Sequence, residues 1–247
     1  LPCIHKLKSN QQLKEEPLMR KILILAAHPD DEAIACGGLI MRARHMGWAI
    51  RCLIASVGNC RQLMTGSTEA VGRMAELRAA GEYGGYSSEV LWVGPEFMHL
   101  DSLPRKVICD RLEDELEAWR PDVVVIPPAS SYDQDHRALA EAAITALRPR
   151  PSSLRHHVKV VLEADEPYWW RQGGERPTPN YFVPLSAEDV EAKCQLMAMH
   201  ASQVRPDPFG RSLENLRRNA ACLGCEIGCE AAEAYRVLRA DSTLMGL

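Results

Sequence analysis

Lys21-Ile22-Leu23-Ile24-Leu25-Ala26-Ala27-His28-Pro29-Asp30-Asp31-Glu32 is the stretch whose reading decides the fold. After the lysine the run to Ala27 is apolar without interruption. That suits a central parallel strand covered on both faces better than a half-exposed strand, which would alternate. Pro29 ends the ladder, and Asp30, Asp31 and Glu32 stand where the next helix begins. Acids in a first helical turn are stabilised by the free N–H groups and the dipole there. One reading of the cluster is therefore a turn proline, an aspartate N-cap and two first-turn acids. The other is a metal or acid–base site. His28 and Asp31, three residues apart, can converge on one cation and leave Asp30 free to take a proton.

Outward from this stretch, the spacing of apolar residues predicts strands at 48–57, 88–93, 123–126 and 158–163. It predicts helices at about 32–46, 69–83, 104–119, 137–147, 186–203 and 211–236, a polar loop through Ser67 and a short extended segment at 181–185. Strand and helix alternate, so the expected fold class is α/β, a Rossmann-like parallel sheet with helices on both faces. In the order 3-2-1-4-5, strands 1 and 4 are neighbours and ligands bind beyond their carboxyl ends. The polar clusters 28–32 and 133–136 follow those two strands. A dinucleotide site is not expected, because the first turn is His-Pro-Asp-Asp-Glu and Gly37-Gly38 comes too late, inside the helix.

The 247 residues are 46% hydrophobic and 25% charged, with a net charge of −4. This fits one globular domain and offers no general attraction to nucleic acid or to an anionic membrane. No apolar run reaches transmembrane length. Nine irregularly spaced cysteines suit reduced thiols and a cytoplasmic location better than a disulfide framework. Cys222, Cys225 and Cys229 are read as buried structural thiols, and His156-His157 as exposed. Residues 1–18, which precede Met19-Arg20-Lys21, are expected to be an extension, 19–240 the domain and 241–247 a tail. A homo-oligomer is compatible with all of this.

His28, Asp31 and His136 make a two-histidine, one-carboxylate set, the ligand type of a catalytic zinc that keeps a position open for water. At Ala27-His-Pro-Asp-Asp-Glu32 and Asp135-His-Arg-Ala138 the chain resembles the LmbE/PIG-L family of zinc-dependent N-deacetylases. Softer matches are Arg73-x-x-Glu76-Leu77, Glu163, His200-Ala-Ser202-Gln203 and Glu233-Ala-Tyr235-Arg236, so the resemblance spans about residues 19–239. It implies one zinc per chain on His28, Asp31 and His136, with Asp30 as general base. The implied substrate is an N-acetylglucosamine-type sugar or conjugate whose acetyl group leaves as acetate.

Many members carry a second histidine three positions before the metal histidine, and here that position is Asp133. Either Asp133 serves as the proton donor, or Asp30 shuttles the proton, or catalysis is weakened or altered. Arg73, Asp101 and Trp169 are the expected substrate-binding residues. Arg73 can instead pair with Glu69 or Glu76 on its own helix, and the aromatics at 168–170 can instead cap the core. A non-sugar amide as substrate and a ligand-binding homologue without turnover are the alternative readings.

Overall fold

A computed structural model describes residues 19–62, 66–94, 99–166 and 178–242. Trp169 lies outside them. The elements in chain order are β1 (Lys21–Ala26), α1 (Asp31–His45), β2 (Ala49–Val57), β3 (Cys60–Gln62), β4 (Gly66–Thr68), α2 (Ala70–Gly84), β5 (Ser87–Val93), a 3-10 turn at Leu100–Ser102, α3 (Arg105–Trp119), β6 (Val123–Ile126), α4 (Gln134–Ala146), β7 (Val160–Ala164), β8 (Tyr181–Leu185), α5 (Ala187–Met199), α6 (Leu213–Ile227) and β9 (Ala231–Ala240).

Seven strands form one sheet in the order β5-β2-β1-β6-β7-β9-β8. The first five are parallel and keep the expected 3-2-1-4-5 order. The apolar run of β1 has its reason in the two faces. Ile22, Ile24 and Ala26 pack under α1, α2, α5 and α6, whereas Leu23, Leu25 and Ala27 pack against Leu112, Leu116, Leu139 and Ala143 of α3 and α4. Successive strand residues point to opposite faces, and here both faces are core. Because β1 and β6 pair, the segments after Ala26 and Ile126 open side by side at one end of the sheet. No helix among the described residues is long and apolar enough to cross a membrane.

Six expectations need correction. The helix expected at 211–236 ends at Ile227, where Gly228 turns left-handed at φ 73°. Residues 231–240 form β9, antiparallel between β7 and β8. Its alanine-rich start reads as helix by propensity, but pairing on both sides overrides a weak local preference. The expected 58–67 loop contains the antiparallel β3–β4 pair. α4 begins at Gln134 rather than 137, so Asp135 and His136 sit in its first turn, while α5 stops at Met199. Cys222 and Cys225 are exposed, not buried, and Cys229 is half-buried beyond the helix end. His156 and His157 are half-buried rather than exposed, with His156 Nε2 on the Pro121 carbonyl at 2.6 Å.

Helix α1 is tied down by a buried carboxylate from β9. Glu233 accepts the N–H groups of Gly38 and Leu39 at 2.7 Å each, the Tyr235 hydroxyl at 2.8 Å and the Lys193 ammonium at 2.6 Å. Gly37 and Gly38 make the close approach possible: a Cβ at Gly37 would lie 2.7 Å from Lys193 Cγ, and one at Gly38 2.6 Å from Leu185 Cδ1. Glu233→Gln leaves the Lys193 ammonium buried without its countercharge. The expected loss of stability is roughly 3–5 kcal/mol, read from denaturant unfolding. An unchanged unfolding midpoint would mean that the Lys193–Glu233 pair does not hold the fold.

Candidate active site

Three elements bring the histidines and aspartates together. His28 follows β1, Asp31 opens α1 and His136 lies in the first turn of α4, and one ligand-capable atom from each lies within 4.8 Å of the others. Asp31 Oδ2 accepts the His28 backbone N–H at 2.9 Å, which fixes the turn. The same oxygen is 3.1 Å from His136 Nε2 and 3.7 Å from His28 Nδ1.

The far nitrogen of each imidazole meets a buried carboxylate. His28 Nε2 is 3.2 Å from Asp135 Oδ2, and His136 Nδ1 makes a short hydrogen bond to Glu166 Oε1. Asp135 is itself held by the Leu100 N–H at 2.9 Å, and Glu166 by the Ser131 hydroxyl at 3.1 Å. A carboxylate behind the imidazole fixes the tautomer and ring orientation of metal-binding histidines. Such an arrangement leaves Nδ1 of His28 and Nε2 of His136 as the lone-pair donors, both turned towards Asp31. The donor set therefore fits a divalent cation.

The electrostatics agree. Burial would lower the His136 pKa, but Asp31 and Glu166 overcome it and raise the pKa well above the ordinary value. Burial would raise the Asp31 pKa, yet His136 and His28 hold it below the ordinary carboxylate range. Positive charge is strongly favoured at this point.

Asp30 rules out the simple capping reading of its own side chain. It occupies the N-cap position of α1, but its side chain makes no capping hydrogen bond. Its carboxylate is turned away to Arg211 Nη1 at 3.2 Å and Arg73 Nη2 at 3.6 Å. The residue is buried and sits at φ 118°, a conformation that costs a non-glycine residue on the order of 1–3 kcal/mol. Burial, then the Asp31 charge, raise its pKa above the ordinary value against the pull of Arg211 and Arg73.

The other expected residues are dispersed. Asp133 is the N-cap of α4, and its carboxylate accepts the Asp135 N–H at 2.8 Å. Arg73 is 3% exposed and donates to the Pro29 carbonyl at 3.0 Å, so it lies behind Asp30 rather than on an open surface. Its expected alternative partner Glu76 binds Ser202 instead, through N–H and hydroxyl at 2.7 Å each. Asp101 is exposed and approaches Asp135 together with His99. Glu166 and Arg211 were not singled out from the sequence, and Asp135 only as the first residue of the Asp135-His-Arg-Ala138 run, without a role. Glu166 had a signal, since it follows a parallel strand at its carboxyl end. Arg211 had none.

The family pattern PIG-L, described as GlcNAc-PI de-N-acetylase, matches residues 23–147. The chain belongs to the PIG-L family. The match includes His28, Asp30, Asp31, Arg73, Asp101, Asp133 and His136, while Glu166 and Arg211 lie beyond it. The chain is 27% identical over 227 residues to a diacetylchitobiose deacetylase of Thermococcus kodakarensis, covering 88% of this chain and 83% of that one. It is 25% identical over 243 residues to a 1D-myo-inositol 2-acetamido-2-deoxy-alpha-D-glucopyranoside deacetylase of Gordonia bronchialis, covering 76% and 86%. The fold matches that of the N,N'-diacetylchitobiose deacetylase of Pyrococcus horikoshii with a TM-score of 0.68 at 24% identity, over 89% of this chain and 84% of that one.

Proposed function

We propose that this protein is a metal-dependent N-deacetylase that hydrolyses the acetamide of an N-acetylglucosamine-type sugar or sugar conjugate. The observation that carries the reading is the pair of carboxylate-backed imidazoles converging on Asp31, one residue from a buried carboxylate that caps nothing. The deacetylase names of the relatives support the reaction, and the two-histidine, one-carboxylate set supports zinc. His28, Asp31 and His136 are the proposed ligands. A cation held there supplies Lewis acidity towards the amide carbonyl and lowers the pKa of a water.

The remaining steps belong to side chains of the chain itself. Asp30 takes a proton from the attacking water as the new C–O bond forms. Arg73 and Arg211 fix its carboxylate and balance its charge. Asp133, at the N-cap of α4, gives a proton to the nitrogen as the C–N bond breaks, and acetate and a free amine leave. Asp101 is the proposed partner for sugar hydroxyls, and Trp169 keeps its expected substrate-binding role. Cys36, Cys52, Cys109 and Cys194 are buried free thiols, which supports a reducing, cytoplasmic setting.

Acetate release measured over N-acetylglucosamine, its glycosides and N-acyl amino acids tests the substrate class. Release only from the amino acids would make this a non-sugar amidase, and metal binding with no release at all would make it a binding module. Asp133 has its own test. Asparagine caps a helix about as well as aspartate, so Asp133→Asn removes the titratable carboxyl group and leaves the cap. Turnover is expected to fall at least ~10-fold at unchanged melting temperature, with Asp133→His remaining active. Wild-type turnover in Asp133→Asn across the pH range would transfer the proton-donor role to Asp30.

A further inference from the structure

We infer that Glu32 is a positioning residue for Asp30, mounted on His200 and Tyr86, so that the segment after α5 helps to hold the base. The catalytic consequence rests on the role proposed for Asp30; the mounting itself does not. Asp30 is a non-glycine residue at φ 118°, and its side chain makes no capping hydrogen bond within that turn. The backbone N–H of Asp30 is instead donated to Glu32 Oε2 at 3.1 Å. The other oxygen of Glu32 accepts the Tyr86 hydroxyl at 2.8 Å and His200 Nε2 at 2.7 Å. Glu32 and His200 are both fully buried.

A helix start needs no such assembly, because a serine or aspartate N-cap would satisfy its free N–H groups from the surface. Burying a carboxylate and an imidazole is costly unless both are well bonded. What this arrangement adds is a fixed backbone conformation at Asp30. The segment that supplies His200 is itself anchored, since Ser202 binds Glu76 of α2 through its N–H and its hydroxyl. It also carries Gln203, whose Oε1 lies 3.2 Å from Arg211 Nη1, the donor that reaches Asp30 Oδ2 at the same distance. Asp30 is thus gripped at its N–H through Glu32 and at its carboxylate through Arg211. Both grips lead back to residues 200–211. Without the first, the turn relaxes towards negative φ and swings the carboxylate off its mark, and small misplacements of a reacting group are costly to rate.

Glu32→Gln offers one acceptor oxygen to three donors. Its kcat for acetate release is expected to fall at least ~30-fold, with KM and zinc affinity within about threefold of wild type. Ile40→Ala, a core truncation in the same helix, is the comparison: it should lower the melting temperature but keep kcat within about threefold when folded. In the wild-type protein the Asp30 amide should be among the slowly exchanging amides of the turn by NMR hydrogen exchange, and in Glu32→Gln it should lose that protection. The exchange readout stands even if the protein releases no acetate, so failure of the proposed function is distinguishable from failure of this inference. A kcat loss in Glu32→Gln no larger than in Ile40→Ala would overturn it. So would a parallel loss of zinc affinity, or an Asp30 amide that exchanges like an open loop in the wild type, a measurement that needs no variant to fold.

Discussion

Asp30→Asn is expected to cut acetate release by roughly 10²–10⁴-fold while leaving the metal bound, the range lost with a positioned general base. The substitution preserves shape. Asparagine is, with aspartate, one of the few non-glycine residues that tolerates positive φ, so the turn at φ 118° survives it. The proposed ligands are untouched, because Asp31 and the two histidines are held by Asp135, Glu166 and one another rather than by Asp30. What is lost is the carboxylate between Arg211 and Arg73. Arg73, only 3% exposed, then lacks its nearest countercharge, so a modest loss of stability accompanies the loss of rate. Steady-state acetate release, metal content and thermal unfolding on one preparation separate these effects. Near-normal turnover in a metal-loaded variant would remove Asp30 from the chemistry.

The centre of this fold was legible because its signals are local. A short uninterrupted apolar run bounded by a proline suits a strand covered on both faces, and His28, Asp30 and Asp31 crowd the five residues after it. The pairing of β1 with β6 follows from the order of a doubly wound sheet, which brought His136 to the same crevice from a hundred residues away. The parts that failed depend on partners the sequence does not announce. β9 is a strand because β7 and β8 flank it, not because Ala231-Ala-Glu-Ala prefers one. Of the carboxylates behind the histidines, Glu166 carries no spacing motif, and Asp135 stands in one without showing that it backs His28 rather than its neighbour His136. The softer family matches prove to be one another's partners or neighbours: Glu76 binds Ser202, and Glu233 holds α1 just beyond the metal turn. They had a structural meaning that was invisible until the chain was folded.

Removing the metal should remove the activity, and His136 is where that link is tested most directly. Treatment with a chelator is expected to abolish acetate release from the wild type, and added zinc to restore it. His136→Ala should bind little metal at stoichiometric concentrations and fail to recover, because the variant loses one of three protein ligands. The cost goes beyond the lost ligand. His136 stands between Asp31 and Glu166, so its removal leaves two poorly hydrated carboxylates without the positive partner they share. Lower stability than in a simple cavity mutant follows. Glu166→Gln provides the graded case: the imidazole stays but loses its buried carboxylate, and metal affinity should weaken by about 10–100-fold, as is usual when such an outer partner is removed. Competition against a chromophoric chelator measures all three proteins on one scale, and circular dichroism verifies that each is folded. The expected order is wild type, then Glu166→Gln, then His136→Ala. Full metal occupancy in folded His136→Ala would exclude the α4 histidine from the centre and leave His28 and Asp31 without a second wall to close on.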